Sequence, residues 1–83
     1  MIAQMWEVRV DEEHKDALLD WVFETAIPAV ETAPSFREHE VWASRDRVVV
    51  ITKWTQDPQS LPDPPPSLVA RPPHAWDFTS VQR

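Results

Sequence analysis

The chain has 83 residues, with no Cys, no Gly, nine Pro, five Trp and a formal charge of -6 at neutral pH. That length suits one domain with one core, the lack of Cys removes any disulfide framework, and the lack of Gly removes the phosphate-cradling loops of the P-loop and dinucleotide types. The acidic balance, with Lys and Arg scattered rather than massed, repels a phosphate backbone and an anionic membrane surface, so nucleic acid is excluded as an expected partner.

From Ile2 to Val10 apolar and polar residues alternate, with Ile2, Gln4, Trp6, Val8 and Val10 on one side and Ala3, Met5, Glu7 and Arg9 on the other. This is the period of a strand. Asp11 then stands where a helix N-cap belongs, and Glu12 and Glu13 follow in the first turn, where negative charge complements the exposed amides. The spacing of Ala17, Leu18, Trp21, Val22, Thr25, Ala26 and Ala29 predicts a helix with one apolar stripe, ending near Thr32. Pro28 removes an amide donor inside that pattern and predicts a kink or a looser turn.

Phe36 to Ser44 and Arg47 to Trp54 read as two strands joined across Arg45 and Asp46 into a hairpin. In the second, Val48, Val50, Thr52 and Trp54 oppose Arg47, Val49, Ile51 and Lys53, and both sides are apolar enough to need cover. Seven of the prolines fall within residues 57–73, which excludes a regular helix and predicts an extended loop covering the sheet through Leu61, Leu68 and Val69. The same prolines also suit a ligand for an aromatic groove. His74 to Val81 alternates again and forms the fourth predicted strand.

The expected fold is therefore α+β: a ferredoxin-like split βαβ plan with a four-stranded antiparallel sheet, one main helix, and a proline-rich loop in place of the second helix. Residues 1–83 are expected to form a single domain. No apolar run approaches the roughly 20 residues of a membrane span, and the first residues lack a basic-then-apolar signal pattern, so the expected location is the cytoplasm. A core this small, without disulfides or metal, gains most from a second copy, and a homodimer is expected. Met5, Val41, Val49 and Ile51 are the expected contact residues on the side of the sheet away from the helix.

The run TAIPAVETAPSFREHEVW from Thr25 to Trp42, followed by VVVITKW ending at Trp54, resembles the antibiotic biosynthesis monooxygenase superfamily of dimeric α/β barrels. The matching features are Pro28, the Pro34-Ser35-Phe36 entry into the second strand, where relatives commonly have Gly at the middle position, and Trp54 closing the third strand. The resemblance implies a pocket between sheet and helical layer, with Gln4, Trp6, Trp42, Trp54, His74 and Trp76 brought toward one region. It also implies an aromatic or polyketide-type small molecule as ligand and, for the cofactor-free oxygenases of the superfamily, no cofactor. Haem-degrading members carry their iron ligand and catalytic Trp on a second helix, which residues 57–73 do not supply, so no haem ligand is assigned.

Within that reading His74 is the candidate base, because a free imidazole accepts a proton near neutral pH, and Arg71 is the candidate group for stabilising a developing anion. Gln4, Trp6, Trp42, Trp54 and Trp76 are the candidate substrate-binding residues; alternatively the Trp side chains simply fill the core. His39, between Glu38 and Glu40, is a second candidate base, but adjacent strand residues point to opposite sides and cannot chelate one ion, so no metal site is expected. His14 reads as a surface residue, and Asp77 as an exposed carboxylate. No nucleophile elbow surrounds any Ser or Thr. Two function classes follow: a cofactor-independent monooxygenase, or a non-catalytic binding or accessory protein of the same fold.

Overall fold

The alternation at the amino end becomes strand β1 (Ile2–Arg9), in which Gln4, Trp6 and Val8 are buried while their neighbours are half-exposed. The computed structural model describes all residues from Met1 to Arg83. Strands β2 (Phe36–Ala43), β3 (Arg47–Trp54) and β4 (His74–Thr79) complete one sheet in the order β2-β3-β1-β4, every neighbouring pair antiparallel. The chain is thus an α+β ferredoxin-like arrangement: β1 and β2 run parallel with β3 inserted between them, joined by a helical crossover over one side of the sheet.

That crossover is a single helical run of mixed turn types. A 3-10 turn (Glu12–His14) leads into helix α1 (Lys15–Trp21), a π turn (Val22–Ala26) and helix α2 (Ile27–Glu31). Asp11 occupies the N-cap position in extended conformation, yet its side chain makes no capping bond; its carbonyl instead accepts from the His14 amide at 2.9 Å. The π turn is the looser turn expected at Pro28: the Ile27 amide reaches back five residues to the Val22 carbonyl. The missing proline donor therefore falls where the regular ladder is already interrupted.

Leu18, Val22, Ala26, Ile27 and Val30 are buried, whereas Ala17, Thr25 and Ala29, expected on the stripe, are exposed. The extra residue in the π turn shifts the phase of the stripe beyond it, to Ile27 and Val30. Against the buried helical residues pack Trp6, Val8, Val10, Val48, Val50 and Trp54 from the sheet. Only 15 of 83 residues are buried, so this core is thin.

The hairpin between β2 and β3 closes over Ser44 to Asp46, with the Ser44 amide donating to the Arg47 carbonyl at 2.9 Å. Its tip is tied back to the end of β1, where the Val10 amide donates to the Asp46 carbonyl at 3.0 Å and Arg9 pairs with the Asp46 carboxylate at 3.0 Å. At the other end, β2 carries a bulge: Phe36 pairs with Trp54 and Glu38 with Lys53, leaving Arg37 as the extra residue. A bulge inverts the side-chain alternation beyond it. His39, Val41 and Ala43 consequently lie on the same side as Phe36, opposite Thr52, Val50 and Val48.

Between β3 and β4 no second helix forms, as the prolines predict. The chain runs extended except for a 3-10 turn at Pro66–Leu68. Leu61 and Pro64 are buried, Leu68 and Val69 pack against the core, and the Ala70 amide donates to the Arg9 carbonyl at 2.9 Å. Asp57 starts this segment at φ 45°, the one positive-φ residue of the chain. In a Gly-free sequence Asp is among the residues that best tolerate that region. With no helix above it, β4 is exposed along its whole length. No helix is long and apolar enough to cross a membrane.

Candidate functional site

The residues expected to converge are divided among three places. Gln4, Trp6 and Trp54 lie beneath the helix, all buried. Trp54 is wholly enclosed; its indole Nε1 donates to the Thr52 hydroxyl at 2.9 Å and its ring meets Phe36 edge-on at 5.3 Å. Trp6 packs against Trp21 at 6.3 Å. No opening separates helix from sheet: both surface hollows of the molecule lie elsewhere. Trp6 and Trp54 are both members of the buried hydrophobic core.

Trp42, His74 and Trp76 lie on the opposite side, away from the helix. The register decides this: Ala75 stands opposite Trp6 and Asp77 opposite Gln4, so His74 and Trp76 project beside Glu7 and Met5. Trp42 stands opposite Val49 because of the Arg37 bulge; strict alternation from Phe36 would have put it under the helix. Val41, expected on the outer surface, is for the same reason opposite Val50 and packs against the core.

This helix-free side is apolar at its centre. Met5, Val49, Ile51, Trp76 and Phe78 are contiguous through the strand pairings, with Trp42 61% exposed, Phe78 54% and Trp76 45%. His74 stacks on Trp76 with ring centres 5.9 Å apart. Charged groups surround the patch and are already paired within the chain. Lys53 holds Glu38 at 3.1 Å and Glu40 at 3.4 Å, and Arg47 holds Glu7 at 3.6 Å. The hydrogen bond from Lys53 to Glu38, reinforced by both carboxylates, raises its pKa above the ordinary lysine value. The hydrogen bond from Arg9 holds the Asp46 carboxyl below the usual carboxylate range.

Arg71 occupies the third place. Two open surface troughs of about 370 and 390 Å³ meet along Ala70 and Arg71, one extending to Arg9, Asp11 and Asp46, the other along the proline segment to Asp63. His74 lines neither of them, so the expected base and the expected anion partner do not share a cavity.

One polar row crosses the sheet beneath the helical layer: His39, Thr52, Gln4 and Asp77 are successive cross-strand neighbours. Gln4 Nε2 donates to Asp77 Oδ1 at 3.1 Å, while Gln4 Oε1 is buried without a partner. His39 packs between Phe23 and Phe36, at 6.5 and 6.4 Å. Asp11, Glu13 and His14 also gather their side-chain ligand atoms within 4.8 Å at the start of the helix. That grouping follows from the local 3-10 turn, and its two acids are exposed.

No protein-family model matches this chain, and no curated protein matches it. The ferredoxin-like fold is the class that the sheet order and the crossover define.

Proposed function

We propose that the protein is a homodimeric, non-catalytic small-molecule-binding or accessory protein of the ferredoxin-like fold, related in plan to the dimeric α/β barrels of the antibiotic biosynthesis monooxygenase superfamily. The observation that carries this reading is the contrast between a filled interior beneath the helix and an uncovered aromatic patch on the other side of the sheet. A contiguous apolar area ringed by polar groups is the usual form of an interaction surface. A second copy fits this one because its charged margin is internally paired, so pressing two such sides together buries no unpartnered ion.

A stable interface takes roughly 800 Å² from each partner. At roughly 25 cal/mol per Å² of apolar surface, such cover contributes several kcal/mol to a thin core. Sedimentation velocity at micromolar concentration is expected to give a dimer, and Trp76→Glu to weaken it by at least about 100-fold, equivalent to nearly 3 kcal/mol. A monomeric wild type at that concentration overturns the reading.

The second reading is a cofactor-independent monooxygenase acting on an aromatic or polyketide-type substrate. The unpartnered Gln4 Oε1 beside the Asp77 carboxylate favours it, since an interior acceptor without a donor suits a phenolic hydroxyl, and a substrate reaching it requires the closed layer above Gln4 to open. Dioxygen uptake with quinol substrates tests it. Rates above the protein-free background that fall in Gln4→Leu would establish it, and rates equal to that background would remove it.

A further inference from the structure

We propose that the trough between Arg71 and the proline segment binds a small aromatic carboxylic acid that carries a hydroxyl or amino donor at its far end. The inference deepens the small-molecule-binding reading and rests on it. It moves the ligand out of the filled space under the helix and away from the tryptophans.

Arg71 is the starting point. Arg9, Arg45, Arg47 and Lys53 each hold a carboxylate of the chain, while Lys15 and Arg37 donate to backbone carbonyls. Two of the eight Lys and Arg residues, Arg71 and Arg83, make neither an ion pair nor a side-chain hydrogen bond, and of these Arg71 lines both troughs, in a molecule with a six-charge excess of acid. A guanidinium presents a planar fork of donors matched to a carboxylate. Its backbone is anchored, because the preceding residue, Ala70, donates its amide to the Arg9 carbonyl at 2.9 Å.

The walls supply the rest of the specificity. Pro64, Pro66, Pro72, Pro73 and Val69 make the trough apolar, and rings with fixed φ lose little freedom when a ligand lies against them. Its volume of about 390 Å³ falls within the range of roughly 300–1,000 Å³ in which small-molecule pockets occur. Asp63 lines the same trough without pairing with Arg71. A ligand satisfying both therefore brings an acid for Arg71 and a donor for Asp63. The neighbouring unpaired acid Asp11 disfavours polyanions such as nucleotides, whereas Asp46 is already paired with Arg9.

The test is a titration of the full isotope-labelled chain with 4-hydroxybenzoate, followed by amide chemical shifts. Saturable shifts are expected at Ala70 and Arg71, with affinity at least about tenfold weaker in Arg71→Gln, an exposed substitution that leaves the fold intact. The neutral 4-hydroxybenzamide should bind at least about tenfold more weakly, and benzoate should lose affinity by a smaller factor that disappears in Asp63→Asn. Shifts centred on Gln4 or Trp54, equal binding by Arg71→Gln, or no saturable shift at millimolar probe would each overturn the proposal. The dimer is read separately: Arg71→Gln should sediment as wild type, a wild-type dimer that gives no saturable shift rejects this site alone, and a wild-type monomer that still binds rejects only the dimer.

Discussion

The two sides of one sheet are built from the same four strands and solve different problems. Beneath the helix, Trp6, Val8, Val48, Val50 and Trp54 interlock with Leu18, Val22 and Val30, so each side chain has a partner within its own chain. On the other side Met5, Val49, Ile51, Trp76 and Phe78 are equally apolar and nothing covers them. The amount of apolar surface therefore does not separate a core from an interface in this protein; the presence of a second layer does. Tryptophan shows it most directly, since Trp54 is fully enclosed and Trp42 is mostly exposed on strands that are hydrogen-bonded neighbours.

Substitutions can break or sharpen that contrast. The largest effect is expected from Trp54→Ala, which should cost about 3–5 kcal/mol of unfolding free energy by opening a cavity under the helix; Trp42→Ala should change the stability of the isolated chain by less than about 0.5 kcal/mol. Urea denaturation of both variants at concentrations below dimerisation measures the difference, and similar losses would erase the distinction between the sides. Insertion of one Ala between Glu38 and His39 comes next. The added residue reverses the alternation beyond it, driving Glu40 and Trp42 toward the helix and Val41 outward, at a cost of about 2–4 kcal/mol in the same assay.

A smaller change of opposite sign is expected at Gln4. Its unpartnered buried oxygen is a standing cost, so Gln4→Leu should raise stability by about 1 kcal/mol. A loss of stability would show that the bond from Gln4 Nε2 to Asp77 outweighs that cost. The smallest effect belongs to Asp46. Because its folded pKa is depressed, its pairing with Arg9 stabilises the fold fully above the ordinary carboxylate range and is lost as pH falls through the lowered value. Acid unfolding of Asp46→Asn should show a slightly shallower loss of stability below that range. The effect stays small because the pair is exposed and screened. Lys53 behaves inversely, its contribution present below the ordinary lysine value and lost as pH rises through the raised one.

The candidate site was less legible than the fold. Each proposed residue could be assigned to an element, but bringing six of them together required knowing which side of each strand faced the helix. In β1 and β3 the buried side followed from simple alternation. In β2 the alternation is broken at Arg37, and nothing in the residues Phe36-Arg37-Glu38 marks the extra residue. In β4 the aromatic set His74, Trp76 and Phe78 is the more apolar side, and burial alone would turn it inward. Pairing with β1 turns it outward instead, because Asp77 meets Gln4. Arg71 was singled out as an anion partner, and every residue lining its proline trough lies within 63–73. The trough is the fold of one short stretch, which proline content alone does not specify.

By itself the amino-acid sequence determined the elements of this protein: period-two apolar alternation made the strands, three-and-four spacing made the helix, and dense proline forbade a second helix. These are properties of a few neighbouring residues, set by backbone sterics and donor availability. Tertiary structure alone decided the phase of each element: the π turn that moved the helical stripe to Ile27 and Val30, the bulge that exchanged Val41 for Trp42, and the register that turned the β4 aromatics away from the core. One residue inserted or slipped reverses which side chains meet, at little local cost, so only the packing of the whole molecule selects among the alternatives.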